Sequence, residues 1–175
     1  QIIFDGNVPE DFEENEMFIN QYGFVQFHPS YDYTDFVEGL RPKGNIGFEH
    51  KDGVFKEFAN RAKKAYDTYP ADPQKFVFLI DEINRADLSR VFGELFSLFE
   101  EDYRYPTNRK GIILPNGEEF VIPENLYIIG TMNDIDRSVE SMDFALRRRF
   151  AWYEVSADKS ERIIEDKIDD AETKR

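Results

Sequence analysis

The sequence predicts an α/β fold built on a parallel sheet. Two observations carry that prediction. Residues 76–80 and 126–130 are apolar runs with no charged side chain, and each is followed at once by polar residues. The segments around them space their apolar residues at helical intervals. A strand apolar on both faces belongs inside a parallel sheet, covered from both sides. Strands alternating with helices give the α/β class, whose ligands sit beyond the carboxyl ends of the strands.

Taken in order, residues 1–22 read as an irregular acidic segment, with Gly6 and Pro9 as breakers. Phe24 to Phe27 is a short strand, stopped by His28-Pro29. Ser30 to Leu40 reads as a turn and a short helix carrying Tyr31, Tyr33, Phe36 and Val37. Asp52-Gly53 is a tight-turn signal between Phe48 and Phe55. Phe55, Phe58, Ala59, Ala62, Ala65 and Tyr66 fall on one helical face, so residues 54–69 form a helix closed by Pro70 and Pro73. After the strand at 76–80, the spacing of Leu88, Val91, Phe92, Leu95, Phe96 and Phe99 predicts one amphipathic helix. Residues 112–114 and 119–122 flank Pro115-Asn116-Gly117, the pattern of a β-hairpin. The apolar strand at 126–130 precedes a helix over 138–149 and a last strand over 151–155. The tail from Ser156 is polar and helical.

Composition narrows the function classes. There are 175 residues, 36 acids and 22 bases, for a net charge of −14. A surface that holds DNA by itself carries a basic stripe, so direct DNA binding by this chain is not expected. The acids cluster in residues 10–16 and 154–172, which read as solvated faces. Without cysteine there is no disulfide or thiolate metal site. His28 and His50 cannot form a zinc site alone. No apolar stretch reaches membrane-spanning length and no signal pattern opens the chain, so a cytoplasmic location is expected.

The chemistry lies where the apolar strands end. Asp81-Glu82 follows residues 76–80 directly, an arrangement that resembles a Walker B motif. Phosphoryl transfer needs a magnesium ion across the β- and γ-phosphates, the role open to Asp81. It also needs a carboxylate that orients the attacking water, the role open to Glu82. Paired acids after an apolar run also simply cap strands, and context decides between the two readings. The neighbouring apolar strand ends in Gly130-Thr131-Met132-Asn133, which places an amide at the matching end. Alone, Asn133 reads as a turn residue; beside Asp81-Glu82 it reads as a sensor of the γ-phosphate. Arg147-Arg148-Arg149 closes a predicted helix. Arginines there favour the helix macrodipole, and a guanidinium can also stabilise a transferring phosphoryl group as an arginine finger. Successive helical residues point about a hundred degrees apart, so the three cannot serve one site equally.

Three blocks make the resemblance specific. Residues 76–100 read FVFLIDEINRADLSRVFGELFSLFE, residues 122–150 read IPENLYIIGTMNDIDRSVESMDFALRRRF, and residues 25–53 read VQFHPSYDYTDFVEGLRPKGNIGFEHKDG. In order and spacing they resemble the GTPase domain of the McrB family of modification-dependent restriction motors, over about residues 24–155. The resemblance implies a parallel-sheet AAA+ P-loop NTPase core, with helices on both faces, over residues 23–155, with 156–175 the start of a lid or a disordered tail. It implies that Asp81 and Glu82 are the Walker B pair, with Asp81 the metal ligand. Asn84 and Arg85 would lie beside the nucleotide, Asn133 would be the sensor-one residue, and Asp136 and Arg137 would complete an Asn-x-x-Asp-Arg element. Arg148 and Arg149 are the finger candidates. The implied cofactors are Mg2+ and GTP or ATP. The implied partners are further copies in a ring, a hexamer by analogy, a McrC-like nuclease, and DNA through other domains. His28 to Phe36 matches a family segment near the substrate-facing surface, although its aromatics fit a core. The hairpin at Asn116-Gly117 reads equally as a pore-facing insert or a sheet edge.

The chain departs from the family pattern. No G-x-x-x-x-G-K-[ST] occurs, and Gly44-Asn45-Ile46-Gly47 lacks the lysine. The cradle of backbone N–H groups for the phosphates, and most of the small helical lid, are therefore not expected within these residues. The chain reads as a piece of a larger motor and is expected to hydrolyse nothing appreciable alone. Two alternatives share its motifs: a MoxR-like protein-remodelling ATPase, and a non-catalytic AAA+ assembly module.

Overall fold

The computed structural model describes residues 2–3, 15–44, 47–133 and 147–156. The expected helix over 138–149 as far as residue 146, Asp136, Arg137 and the tail beyond 156 lie outside the described residues. Contacts group the chain into two units, Gln1–Asp143 and Phe144–Arg175.

In the first unit, helix α1 (Glu16–Gln21) leads into β1 (Tyr22–Gln26). The reading of 1–22 as irregular is corrected over this stretch. Phe18 stacks on Tyr22 at 4.8 Å, and the Gln21 amide donates to the Lys75 carbonyl at 2.7 Å. The local stack and the long-range bond to Lys75 together order a segment whose own sequence carries little helical signal. Next comes α2 (Tyr33–Phe36), capped by the Asp32 carboxylate, which accepts from the Thr34 N–H. The helix expected up to Leu40 stops there, because β2 (Glu38–Pro42) pairs antiparallel with β3 (Phe48–Asp52). The turn of this hairpin is closed by the Lys43 N–H on the Gly47 carbonyl, not by Asp52-Gly53. Gly53 instead caps α3 (Val54–Thr68), whose buried face holds Phe55, Phe58, Ala59, Ala62 and Tyr66, as its spacing predicts.

Strand β4 (Phe76–Asp81) is the centre of a three-stranded sheet. It pairs in parallel with β1 on one side and with β7 (Leu126–Gly130) on the other. Phe76, Phe78 and Ile80 face one side and Val77 the other, and all four are buried. That accounts for a run without a polar residue. The β7 run is equally apolar, yet Tyr127 and Ile129 are exposed among the described residues. The single helix expected over 88–99 is instead α4 (Leu88–Phe92) followed by a 3-10 segment, Gly93–Phe99. Gly93 turns the chain with φ of +51°, in the left-handed region open to glycine, and the Tyr33 ring packs where a Cβ would point. The apolar residues keep their buried side because i and i+3 also align in a 3-10 helix. Strands β5 (Ile112–Ile113) and β6 (Glu119–Phe120) form the expected hairpin, with Gly117 in its turn.

The core is an aromatic cluster drawn from distant parts of the chain. Phe36 stacks on Phe55 at 4.7 Å, and Phe78 meets Phe36, Phe55 and Phe58 edge-on at 6.0, 5.2 and 5.2 Å. Such pairs each add about 0.5–1.5 kcal/mol beyond the area they bury. Phe27, at the end of β1, closes the cluster against Phe36 and Phe92. The cluster fixes α2, α3 and α4 against the sheet and so holds its carboxyl edge in place.

In the second unit, residues 151–156 form no strand, against the expectation for 151–155. Trp152 turns back instead: its indole N–H donates to the Arg147 carbonyl at 2.7 Å, and the Arg147 guanidinium lies 5.4 Å from its ring. That local pairing takes the place of a ladder. No described helix is long and apolar enough to cross a membrane.

Candidate functional site

Three parallel strands end in register, and their polar terminal residues meet. Gln26 of β1 lies opposite Asp81 of β4, and Ile80 lies opposite Gly130 of β7. Asp81 is therefore flanked on both sides. The Gln26 amide donates to its Oδ2 at 2.9 Å, and the Thr131 hydroxyl donates to its Oδ1 at 2.5 Å. The backbone continues the lattice beyond the strands: Phe27 N–H donates to the Asp81 carbonyl, Thr131 N–H to Ile80 and Ile83 N–H to Thr131, each at 2.9 Å.

Glu82 is the one non-glycine residue with positive φ among the described residues, at φ 52° and ψ 44°. Holding a side chain in that left-handed region costs on the order of 1–3 kcal/mol, and such strain clusters at functional sites. Its effect is to turn the chain sharply out of β4, so that Ile83–Arg85 forms a 3-10 turn over the sheet end. Ile83 fills the space beside Gly130, where a Cβ would lie 2.9 Å from the Ile83 Cδ1. Glu82 stays partly open to solvent, with 19% of its side chain exposed, and its Oε2 lies 3.8 Å from Arg85 Nε. Asn84 is buried, and its amide N–H reaches the Asn133 carbonyl at 3.4 Å. Its Oδ1 finds no hydrogen-bond partner among the described residues. Asn133 is exposed, three residues past the end of β7.

The structure thus brings Asp81, Glu82, Asn84, Arg85 and the backbone of Asn133 to one edge of the sheet. The hard oxygen donors of Asp81, beside the Thr131 hydroxyl, fit the preference of magnesium for few oxygen ligands and retained waters. A profile of the AAA domain (dynein-related subfamily) matches residues 14–150, across all of these positions. The chain belongs to that AAA domain family. It is also 47% identical over 133 residues to the Type IV methyl-directed restriction enzyme EcoKMcrB subunit of Escherichia coli K12. That alignment covers 75% of this chain and 28% of the relative. The Type II restriction enzyme BsuMI component YdiS of Bacillus subtilis 168 is 28% identical over 147 residues, covering 78% of this chain and 40% of its own length. The chain therefore spans well under half of each relative, and what it carries is a McrB-like AAA domain with the P-loop NTPase fold.

In this AAA domain the other predicted residues are placed less completely. Arg148 and Arg149 belong to the second unit, where Arg148 is exposed and Arg149 half-buried. Asp136 and Arg137 lie outside the described residues. The aromatics of the 28–36 segment divide: Phe36 is core, Tyr31 and Tyr33 are half-buried, and His28 is exposed. Tyr33 donates its hydroxyl to Glu94 at 2.7 Å, and burial together with that carboxylate pushes its pKa up.

Two features escaped the sequence. Gln26 and Thr131 hold Asp81, and the available signal was that three adjacent apolar strands all end in polar residues. The second is a buried ion cluster on the buried face of α3. Lys56 Nζ lies 2.8 Å from Glu38, 2.7 Å from Asp52 and 2.7 Å from Glu118. His50 stands 3.5 Å from Glu38. Glu38, His50 and Asp52 have the spacing of metal ligands, but the Lys56 ammonium already binds both carboxylates. The cluster ties the 38–52 hairpin and the 116–118 turn to α3.

Proposed function

We propose that this AAA domain supplies the hydrolytic half of a nucleotide site in a McrB-like restriction motor. The observation that carries the reading is the acid pair at the carboxyl end of β4, with Glu82 strained into position and Asn133 following the neighbouring parallel strand. Asp81 would hold Mg2+, which when bound would supply neutralisation of the charge on the phosphates of GTP or ATP. Glu82, partly exposed beside it, accepts a hydrogen bond from the attacking water and aims its lone pair at the γ-phosphorus. The Asn133 amide donates to that water or to a γ-phosphate oxygen. Asn84 and Arg85 line the same edge, and Asp136 and Arg137, by the Asn-x-x-Asp-Arg element, serve the nucleotide and a neighbouring copy. Arg148 or Arg149 reaches the nucleotide of an adjacent copy in a ring, where a guanidinium stabilises the transferring phosphoryl group. The backbone cradle for the phosphates is not supplied by these 175 residues. A McrC-like nuclease and DNA are engaged through the rest of the assembly.

The test is nucleotide turnover by the full-length protein, GTP against ATP, with its nuclease partner supplied and Glu82→Gln as control. Loss of the water-orienting carboxylate is expected to lower turnover by at least about a hundredfold, the scale of general-base catalysis. GTP-selective turnover lost in the variant supports the motor. ATP-selective turnover with no nuclease partner would replace it with a remodelling ATPase, and equal turnover in the variant would remove Glu82 from the chemistry.

A further inference from the structure

Asp81 is gripped from both sides by groups with no part in the chemistry above. A carboxylate offers about four lone-pair positions on its two oxygens. Here one position on each oxygen is taken, by Gln26 from β1 and by Thr131 after β7. Two donors at the ends of two different strands fix the carboxylate against rotation about its Cβ–Cγ bond. The remaining lone pairs then point in set directions. Magnesium demands near-octahedral angles, so a carboxylate held in one plane is worth more to it than a freely turning one.

Thr131 does more than Gln26. A hydroxyl has one proton to donate and two lone pairs that accept. Thr131 spends its proton on Asp81, and its oxygen lies 3.4 Å from the Glu82 N–H. Its own backbone joins both sides of the acid pair, donating to Ile80 and accepting from Ile83. It stands two residues before Asn133. One residue therefore touches the strand before the acid pair, both acids and the turn after them, on the same short segment as Asn133. Valine has the same shape without the hydroxyl.

We propose that Thr131 and Gln26 are positioning residues that orient the Asp81 carboxylate for a divalent cation, with Thr131 also linking Asp81 and Glu82 to the Asn133 segment. The inference rests on the reading of Asp81 as a metal ligand. Outer-shell partners of metal ligands carry about 10–100-fold in affinity, and that is the size expected here.

The experiment measures Mn2+ binding by electron paramagnetic resonance in the full-length protein with a non-hydrolysable nucleoside triphosphate. The variants are Thr131→Val, Thr131→Ser, Gln26→Met and Asp81→Asn. Thr131→Val is expected to raise the half-saturating Mn2+ by about 10–100-fold, and Thr131→Ser to restore it to within a few-fold of wild type. Gln26 is exposed, so Gln26→Met leaves the fold intact and keeps the question answerable if Thr131→Val does not fold; it is expected to weaken Mn2+ binding as well. Nucleotide affinity without metal should stay unchanged in the Thr131 and Gln26 variants. If Asp81→Asn weakens Mn2+ binding while Thr131→Val and Gln26→Met do not, the positioning role is overturned and the site stands. If Asp81→Asn itself binds Mn2+ like wild type, the assignment of Asp81 falls and this inference with it.

Discussion

Replacing Lys56 with methionine tests the ion cluster that joins the two hairpins to α3. The substitution keeps most of the aliphatic stem and removes the ammonium, so packing changes little and charge is isolated. Lys56 and Glu38 have 3% and 1% of their side chains exposed. Without the ammonium, Glu38 keeps only the Asn116 N–H at 3.1 Å and His50 at 3.5 Å. Leaving one member of a buried pair uncompensated costs about 3–5 kcal/mol. The contacts to Asp52 and Glu118 add little, because those side chains are 35% and 63% exposed and water screens them. With a urea slope of about 2 kcal/mol/M, the midpoint should fall by about 2 M. The assay is urea denaturation of the chain followed by far-ultraviolet circular dichroism. Adding Glu38→Gln to Lys56→Met should recover part of the loss by removing the stranded charge. The pH dependence has a defined sign. Burial acts to lower the Lys56 pKa, and the hydrogen bonds its ammonium donates to Asp52, Glu118 and Glu38 overcome it and leave it raised. A base with a raised folded pKa stabilises fully below its unfolded value and loses that contribution as pH rises through the folded one. The gap between wild type and variant should therefore persist through neutrality and close only in strong alkali. Lys56 first, then Asn116, hold Glu118 below its usual value, so the gap should also narrow in acid as that carboxylate protonates. A midpoint shift below about 0.5 M would refute the reasoning.

Phe78→Ala removes the ring at the centre of the aromatic cluster, where it is fully buried, and should cost about 3–5 kcal/mol in the same denaturation assay. Gly53→Ala places a Cβ 2.4 Å from the Phe36 carbonyl carbon and 2.6 Å from Val37 N. Backbone cannot yield as a side chain does, so a loss of about 1–3 kcal/mol or more is expected, read as a lower thermal midpoint.

The sequence by itself determined the class of the fold and the location of the chemistry. An unbroken apolar run fits a strand covered on both faces, so residues 76–80 declared the central strand, although the equally apolar β7 leaves Tyr127 and Ile129 exposed. The polar residues that follow such a strand sit at the ligand edge, so Asp81 and Glu82 were found without coordinates. The face of α3 was legible because its period matches the helix. Tertiary structure decided what period and composition leave open. Glu38–Pro42 could continue a helix or pair as a strand, and the partner strand ten residues on settled it. Gly93 broke an otherwise continuous helical pattern because the Tyr33 ring, sixty residues earlier in the chain, occupies its flank. Lys56 reads as an ordinary surface lysine until three carboxylates from other segments close around it. Gln26 and Thr131 become partners of Asp81 only through strand register, because hydrogen bonds between side chains 50 and 55 residues apart depend on which strands lie side by side, and pairing of that kind is set by the whole fold.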